Sequence, residues 1–356
     1  MGPEGGFVFI QPGALMTIDT IGPKSIIRWL DGSPGSVDEL GGKGASLNRL
    51  RALGAPVSRA CAIPTMVYRQ FAETHHIPLF LGAPGSVDAG DVRAVLLHAP
   101  FSAESGAALI QAGQVFARRD GHARGGVAVR SSAPAEDSAD HAFAGLYDSI
   151  LNVDPACGLE MAVRQCWASL WSDRAVAYRY EQALQDSPME MAVVIQEMVF
   201  TDVAFVAFAA DPISGDRDTV LITATWGLCE AVVAGLVVPD EIRVDRRGQL
   251  VDYRIGEKHQ MVIPSGDGVR CVAVPRLLRS QPAISPEVAR DIATMIRALS
   301  VGLGFLADVE GGIEHSAIQV FQARPITTLP PPSRHHVSAF PQEAHRHAES
   351  RGHSTG

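Results

Sequence analysis

The sequence predicts a mixed fold of helices and strands, of the α/β or α+β class. Short apolar segments typical of strands alternate along the chain with longer segments of helical periodicity. At 356 residues, the chain is long enough for two or three lobes with cores of their own. Its composition, with 46% hydrophobic and 19% charged residues, is that of an ordinary soluble globular protein.

The elements of the first half follow from apolar runs and the Gly and Pro residues that interrupt them. Residues 1–24 are rich in Gly and Pro, and we expect them to be mobile. Strands are predicted over 25–30, 61–65 and 127–130, and helices over 44–53, 66–74, 91–118 and 159–185. Leu47, Leu50 and Leu53 are predicted to share the buried face of their helix. The two tryptophans of the last helix, Trp167 and Trp171, are interpreted as core residues.

The second half continues the alternation and ends in a polar tail. Strands are predicted over 191–196, 205–208, 219–225, 305–310 and 317–321, and a helix over 286–301. Glu310-Gly311-Gly312 is expected to open a hairpin turn between the last two strands, which would bring Glu310 beside Gln322. The tail, residues 330–356, carries Pro and five histidines but too little apolar content for a core, so it is predicted to be disordered.

Charge, hydropathy and cysteine usage exclude several classes of function. A net charge of −9 argues against nucleic-acid binding, which needs a basic surface. No apolar run is long enough to span a membrane, and the first residues do not have the pattern of a secretory signal. The five cysteines are scattered without CxxC spacing, which favours reduced thiols in the cytoplasm over a zinc site.

Three places in the sequence combine residues suited to a nucleotide or a metal ion. The carboxylate of Glu310 and the amide oxygen of Gln322 are hard ligands that suit Mg²⁺, and Arg324 could grip phosphate oxygens. An edge hairpin with a solvated Glu and a structural Arg is the alternative. Lys43 lies between glycines where a helix is predicted to begin, a place where backbone amides are open to an anion. Arg130 ends a buried strand.

Each of these signals has an ordinary structural explanation when it is taken alone. A single Gly-Gly-Lys-Gly segment is most often just a turn. The guanidinium of Arg130 could form a structural salt bridge with Glu136 or Asp137. The segments are more informative together, because their order along the chain is itself a specific signal.

Read together, these segments resemble a known family. Leu-Gly-Gly-Lys-Gly-Ala-Ser-Leu (40–47), Val-Ala-Val-Arg-Ser-Ser (127–132) with Glu136-Asp137 and Phe143-Ala144-Gly145 after it, and Gln-Ala-Arg-Pro (322–325) occur in this order. They resemble the nucleotide-binding part of the phosphoenolpyruvate synthase, pyruvate phosphate dikinase and rifampicin phosphotransferase family. The resemblance extends from about Trp29 to Leu329.

The resemblance implies an α+β, ATP-grasp-like fold, with two α/β lobes and the nucleotide between them. The first lobe would span 25–195 and the second 196–329. In this family Lys43, Arg130 and Arg324 would meet the phosphates of ATP, and Glu310 and Gln322 would hold Mg²⁺.

The remaining contacts with the nucleotide are implied in the same way. Gly145 and Ser149 would belong to a flexible loop over the triphosphate. Gln196, Met198 and Val199 would form the hinge that reads adenine, although Gln196 could equally cap a strand. Glu230, in a segment that resembles the family's Gly-Leu-Gly-Glu, would be a further nucleotide contact.

Three positions depart from the pattern of the family. Cys229 stands for the second Gly of Gly-Leu-Gly-Glu, and Phe205 stands for the Gly of a Ser-Gly-Val segment. Gly311 stands for the usual Trp after the last acidic motif. Phe205 and Ala209 are expected to make a wall of the site bulkier and less polar, and Gly311 is expected to remove a side chain on the acceptor side.

The function favoured by these observations is phosphoryl transfer from Mg-ATP. No Gly-Thr-x-x-His segment, which carries the phosphate-accepting histidine of whole dikinases, occurs in the sequence. The acceptor would therefore be a small molecule or the histidine of a separate phosphocarrier protein. An ATP-grasp ligase that forms amides through an acyl phosphate, and a non-catalytic nucleotide-binding subunit, are the alternatives. The acceptor's identity, the choice of β- or γ-phosphate and the oligomeric state stay open.

Overall fold

A computed structural model describes residues 26–117, 125–134, 145–266, 268–327 and 329. The segment 1–24, the tail 330–356 and the residues Glu136, Asp137, Phe143 and Ala144 therefore lie outside the described residues. The chain divides into two compact units. The first comprises Met1–Phe200, Val262–Val272 and Gln319–Gln322, and the second Thr201–Met261, Ala273–Ile318 and Ala323–Gly356.

The first unit is built on a five-stranded sheet with the strand order β1-β2-β5-β3-β4. Its strands are β1 (Arg28–Trp29), β2 (Ala60–Ile63), β3 (Val127–Ser132), β4 (Ser149–Val153) and β5 (Ala192–Glu197). Its helices are α1 (Val37–Ala52), α2 (Thr65–Thr74), α3 (Ala89–His98), α4 (Ala103–Ala117), α5 (Leu159–Ser169) and α6 (Asp173–Glu181). All neighbouring strands of this sheet pair antiparallel.

The core of the first unit is aromatic. Trp167 and Trp171 are both fully buried, as the sequence predicted. The ring of Trp167 packs against the rings of Tyr68, Phe71 and Phe101 at centroid distances of 5.1–5.5 Å. The indole N–H of Trp171 donates to the hydroxyl of Tyr68 at 3.0 Å, so this polar pair is satisfied inside the core.

Two long helices expected from the periodicity are each broken in two. The prediction over 91–118 is wrong at Ala99, where the backbone is extended before Pro100 and separates α3 from α4. The prediction over 159–185 is wrong at Ser172, whose side chain caps α6 by accepting from the N–H of Ala175 at 3.2 Å. The apolar periodicity of the sequence continues across both breaks, so it predicted one long helix in each case.

Helix α1 also differs from its prediction. It begins at Val37, and Ser36 caps it by accepting from the N–H of Glu39 at 3.1 Å. A kink at Gly41, with φ 68° and ψ 175°, interrupts it. Leu53 lies outside its buried face, being 41% exposed, because the helix has ended by then.

The second unit contains a six-stranded sheet with the strand order β13-β12-β6-β7-β8-β9, and residues 319–322 of β13 cluster with the first unit. The strands and helices after β5 are β6 (Val203–Phe208), β7 (Val220–Trp226), α7 (Glu230–Val233), β8 (Asp240–Val244), β9 (Leu250–Arg254), β10 (Gln260–Pro264), β11 (Val269–Ala273), α8 (Pro286–Leu303), β12 (Ala307–Glu314) and β13 (Ala317–Pro325). Helix α8 packs its apolar face, which includes Ile292 and Ile296, onto this sheet. Strands β10 and β11 form a separate two-stranded sheet.

The predicted hairpin turn at Glu310-Gly311-Gly312 is wrong. Strand β12 continues through these residues to Glu314, and the turn lies at His315 and Ser316, which have φ values of 49° and 70°. Gly312 serves close packing, because a Cβ there would lie 2.2 Å from the side chain of Thr201. Glycine inside a strand therefore marked a crowded position here and not a turn.

The mixed α and β class is confirmed. The pairings of β6 with β7 and β12, of β7 with β8 and of β8 with β9 are antiparallel, as are those of the first unit. Because these strands pair antiparallel, the fold is of the α+β class and is not built on a parallel α/β sheet. The short strands β4, β8, β9, β10 and β11 were not predicted. In the described part of the chain, no helix is long and apolar enough to cross a membrane.

Candidate active site

The Gly-Gly-Lys-Gly segment lies against the end of β3. A Cβ on Gly41 would lie 1.8 Å from the carbonyl oxygen of Ser132, so only glycine permits this approach. The N–H of Gly42 donates to the carbonyl of Ala133 at 3.0 Å, and the N–H of Gly44 donates to the Ser132 hydroxyl at 2.9 Å. The expectation of open amides is therefore wrong for Gly42 and Gly44, because Ala133, the residue after β3, and Ser132, the last residue of β3, accept from them.

Lys43 lies just after the kink and is half-buried. Its ammonium donates to the carbonyl oxygen of Ser131 at 3.0 Å and to the Ser131 hydroxyl at 3.3 Å. The loop thus presents an ammonium group and not a ring of backbone N–H groups at this end of the sheet.

Arg130 lies among side chains from distant parts of the sequence. One of its terminal nitrogens donates to Oε1 of Gln196 at 3.2 Å and to the carbonyl of Phe321 at 3.0 Å. The other donates to Oε1 of Gln322 at 2.8 Å. Three predicted site residues, Arg130, Gln196 and Gln322, therefore meet within the first unit.

The two predicted residues of the triphosphate loop lie beside β3. Ser149, the exposed first residue of β4, is opposite Arg130 in the β3–β4 register. Side chains paired in this way share one face of the sheet. Gly145 is exposed and has φ 69°, and a Cβ there would meet nothing within 4 Å. The residues before it, 135–144, lie outside the described residues.

The predicted adenine hinge follows β5. Gln196 is 3% exposed, and its Nε2 is buried without a hydrogen-bond partner among the described residues. Met198 and Val199 are also buried. The N–H of Met198 donates to the carbonyl of Gly126 at 3.1 Å, and its sulfur accepts from the N–H of Asn152 at 3.2 Å. Gln196 does not cap its strand: it lies inside β5 and contacts Arg130.

In the second unit, Glu310 and Arg324 lie with a third charged residue, Asp308. Nε of Arg324 donates to Oδ2 of Asp308 at 2.9 Å. Oδ1 of Asp308 is buried without a hydrogen-bond partner among the described residues. Burial raises the pKa of Asp308, the negative charge of Glu310 adds to that rise, and Arg324 opposes it. Asp308 and Glu310 are two residues apart in β12 and so share a face of the strand.

The three departures from the family pattern come together around β6. Gly311 is directly opposite Phe205 in the β12–β6 register, and the Cys229 thiol lies 3.9 Å from the carbonyl oxygen of Phe205. Phe205 is fully buried, and the register pairs its neighbour Val206 with Glu310. Because successive residues face opposite sides of a strand, Phe205 lies on the face away from Glu310. The bulk of Phe205 is therefore added on the face opposite Glu310, and its effect on a wall of the nucleotide site stays a prediction.

Glu230 begins the short helix α7, immediately after Cys229. Its side chain is partly buried, with Oε2 inside the second unit. The second unit therefore contains the predicted site residues Glu230, Glu310 and Arg324. The other predicted site residues belong to the first unit: Lys43, Arg130, Gly145, Ser149, Gln196, Met198, Val199 and Gln322.

Three residues of these clusters were missed in the sequence. Ser131 and Ser132 appeared only as the last letters of a strand motif, although both are fully buried and bond the glycine segment. Asp308 precedes Glu310 by two residues in a strand, and this spacing was the available signal.

Comparison with known proteins agrees with the resemblance in the motifs. Residues 37–345 match the model of the pyruvate phosphate dikinase AMP/ATP-binding domain family. The chain is 37% identical over 298 residues to the prodigiosin synthesizing transferase PigC of Serratia marcescens, which covers 82% of this chain and 32% of that protein.

Two further relatives carry other functional names. A probable phosphoenolpyruvate synthase of Methanocaldococcus jannaschii is 33% identical over 317 residues, which cover 85% of this chain and 27% of the relative. A rifampicin phosphotransferase of a Streptomyces species is 34% identical over 310 residues, which cover 83% and 35%. The chain thus spans about a third of the length of these relatives. With more than half of its residues matched by the family model, the chain belongs to the pyruvate phosphate dikinase AMP/ATP-binding domain family.

Proposed function

We propose that this chain binds Mg-ATP in an ATP-grasp-like fold and supplies the nucleotide-binding part of an ATP-dependent phosphotransferase. Membership of an AMP/ATP-binding family supports the nucleotide, and a relative named rifampicin phosphotransferase supports the reaction class. Phosphoryl transfer depends mainly on positioning and on stabilising charge, so no covalent side chain is required.

The observation that carries the proposal is the convergence of Arg130, Gln196 and Gln322. These residues come from β3, β5 and β13, yet the guanidinium of Arg130 touches both amide side chains. Such a contact holds the planar guanidinium in one orientation, which suits recognition of phosphate oxygens. We assign Lys43, Arg130 and Arg324 to the phosphates, Gly145 and Ser149 to the loop over them, and Gln196, Met198, Val199 and Glu230 to the rest of the nucleotide.

We assign Mg²⁺ to Glu310 and Gln322. The chemistry around Glu310 fits a cation, because Asp308 beside it has a buried oxygen without a hydrogen-bond partner among the described residues. In the described part of the chain, no group of three or more His, Cys, Asp or Glu side chains could hold a metal ion. The remaining positions around the ion would therefore come from phosphate oxygens and water, as Mg²⁺ prefers. When bound, the ion neutralises charge on the phosphates.

The acceptor is proposed to be a small molecule or the histidine of a separate phosphocarrier protein. A second candidate is ATP-dependent ligation through an acyl phosphate. It is favoured by one observation: the Serratia relative is named for the synthesis of prodigiosin and not for phosphotransfer. This domain family therefore also occurs in a synthesising transferase.

Nucleotide binding is tested by calorimetry with Mg-ATP. Lys43→Ala and Arg130→Ala should each remove a charge-assisted contact and weaken binding by about 1.5–3 kcal/mol. Arg69→Ala is the matched control: it also removes a guanidinium from the first unit, but one paired with Glu190. Unchanged affinity in both Lys43→Ala and Arg130→Ala would refute the site.

The reaction is tested by following labelled ATP with candidate acceptors. AMP as the product identifies a dikinase-like transfer, and ADP identifies a simple kinase or a ligase. A strict requirement for an amine, with amide formation, would identify ligation. Absence of turnover with every class of acceptor, together with tight Mg-ATP binding, would favour a nucleotide-binding subunit.

A further inference from the structure

The hydroxyl of Ser132 is a fully buried polar group with two backbone partners. It accepts from the N–H of Gly44 at 2.9 Å and donates to the carbonyl of Leu40 at 2.7 Å. These two partners lie on opposite sides of the kink at Gly41. A single side chain from β3 therefore holds both ends of the kink.

The kink depends on this support because Gly41 has left the helical conformation. With φ 68° and ψ 175°, Gly41 cannot continue the helical hydrogen-bond ladder, so backbone groups around it need other partners. The carbonyl of Ala133 takes the N–H of Gly42 at 3.0 Å, and Ser132 takes the groups of Leu40 and Gly44. Without the hydroxyl, a buried N–H and a buried carbonyl would each lose a partner.

Lys43 lies between Gly42 and Gly44, whose N–H groups donate to Ala133 and Ser132 at the end of β3. Its own side chain reaches the carbonyl oxygen of Ser131, the residue before Ser132, at 3.0 Å. The direction in which Lys43 leaves the backbone is thus set by hydrogen bonds on either side of it. A lysine side chain has four rotatable bonds. Fixing the backbone from which it leaves therefore reduces the conformational entropy that is lost when the ammonium group binds a phosphate.

We infer that Ser132 is a positioning residue for Lys43. Its buried hydroxyl fixes the kink at Gly41 against β3 and so fixes where the Lys43 ammonium lies before nucleotide arrives. The consequence for ATP rests on the proposed function, whereas the positioning itself does not.

The positioning is tested without nucleotide by competitive acetylation of lysines, read by peptide mass spectrometry. The sequence has three lysines. Lys258, fully buried against Asp240, is the internal reference for the fold of the second unit. The fluorescence of Trp167 and Trp171, recorded in parallel, reports whether the first unit, which contains Lys43, stays folded. In Ser132→Ala, we expect Lys43 to react several-fold faster while Lys258 stays protected. Ser36→Ala is the matched control, because it removes one capping bond from the same helix before the kink.

The outcomes separate positioning from general loosening. Equal acceleration of Lys43 in Ser36→Ala, or none in Ser132→Ala, would overturn the inference. If Ser132→Ala fails to fold, Ser132→Cys keeps the size but weakens the hydrogen bonds, and the same result is expected of it.

The consequence for nucleotide is tested by a double-mutant cycle with Mg-ATP. Ser132→Ala should weaken binding about tenfold in the wild-type background and less than about twofold in Lys43→Ala, because the effect passes through Lys43. Equal losses in the two backgrounds would show a merely structural role and overturn the inference. If the wild-type chain binds no Mg-ATP, the proposed function fails, and the acetylation result still decides the positioning.

Discussion

Gly41→Ala is the substitution whose effect the structure defines most sharply. The added Cβ would lie 1.8 Å from the carbonyl oxygen of Ser132, whereas real Cβ atoms stay at least 3.0 Å from such neighbours. The kink and the end of β3 must therefore separate by about 1.2 Å, the difference between these two distances. The backbone at φ 68° and ψ 175° is also a region that only glycine occupies readily.

The energetic cost follows from these two effects. The backbone conformation costs about 1–3 kcal/mol in a residue other than glycine. A separation of this size breaks the bonds from Gly42 to Ala133 and from Gly44 to Ser132, each worth about 0.5–1.5 kcal/mol. We expect a loss of about 3–5 kcal/mol in the free energy of unfolding of the first unit.

The measurement is urea unfolding followed by tryptophan fluorescence in a Trp226→Phe background, because Trp226 belongs to the second unit whereas Trp29, Trp167 and Trp171 belong to the first. Gly54→Ala is the matched control: Gly54 has φ 76°, but a Cβ there would meet nothing within 4 Å. It should lose only about 1–2 kcal/mol, the cost of the positive φ. If Gly41→Ala and Gly54→Ala are equally mild, the close approach to Ser132 does not constrain the loop and the reasoning is wrong.

Three further predictions concern the second unit. Glu310→Gln should lower Mg²⁺-dependent turnover more than nucleotide affinity, and an equal loss of ADP binding without metal would make Glu310 structural. Because the pKa of Asp308 is raised in the folded state, folding favours the protonated carboxyl group. The contribution of Asp308 to the free energy of unfolding is therefore greatest below about pH 3.9, its pKa in the unfolded chain, and declines as the pH rises through the pKa of the folded state. Asp308→Asn should flatten this decline in urea midpoints measured from pH 4 upward, and an unchanged slope would contradict it. Lys258→Met leaves the carboxylate of Asp240 buried without its cation and should lower the free energy of unfolding by about 3–5 kcal/mol. Arg246→Ala removes an exposed ion pair with Asp218 at 3.8 Å and should lower it by less than about 1 kcal/mol. Similar losses in the two variants would refute this contrast.

Local patterns located most of the regular elements. The apolar segments that became β2, β3, β5, β6 and β7 are buried over most of their length, as their composition indicates, and α8 has its apolar face where the periodicity placed it. The failures arose where apolar periodicity does not carry the deciding information. Apolar periodicity registers neither the extended backbone of Ala99 before Pro100 nor the capping bond of Ser172, and the passage of β12 through Gly312 depends on the contact with Thr201, which is far away in the sequence.

The sequence by itself determined the family and the identity of most candidate residues, because motifs such as Gly-Gly-Lys-Gly and Gln-Ala-Arg-Pro are local and keep their order. Tertiary structure alone decided which of these residues touch. Arg130 and Gln322 are 192 positions apart, and Lys43 and Ser131 are 88 apart, so no local spacing predicts their hydrogen bonds. It also decided that Phe205 fills a core position opposite Gly311, since the facing of a side chain is set by strand register and not by its own identity.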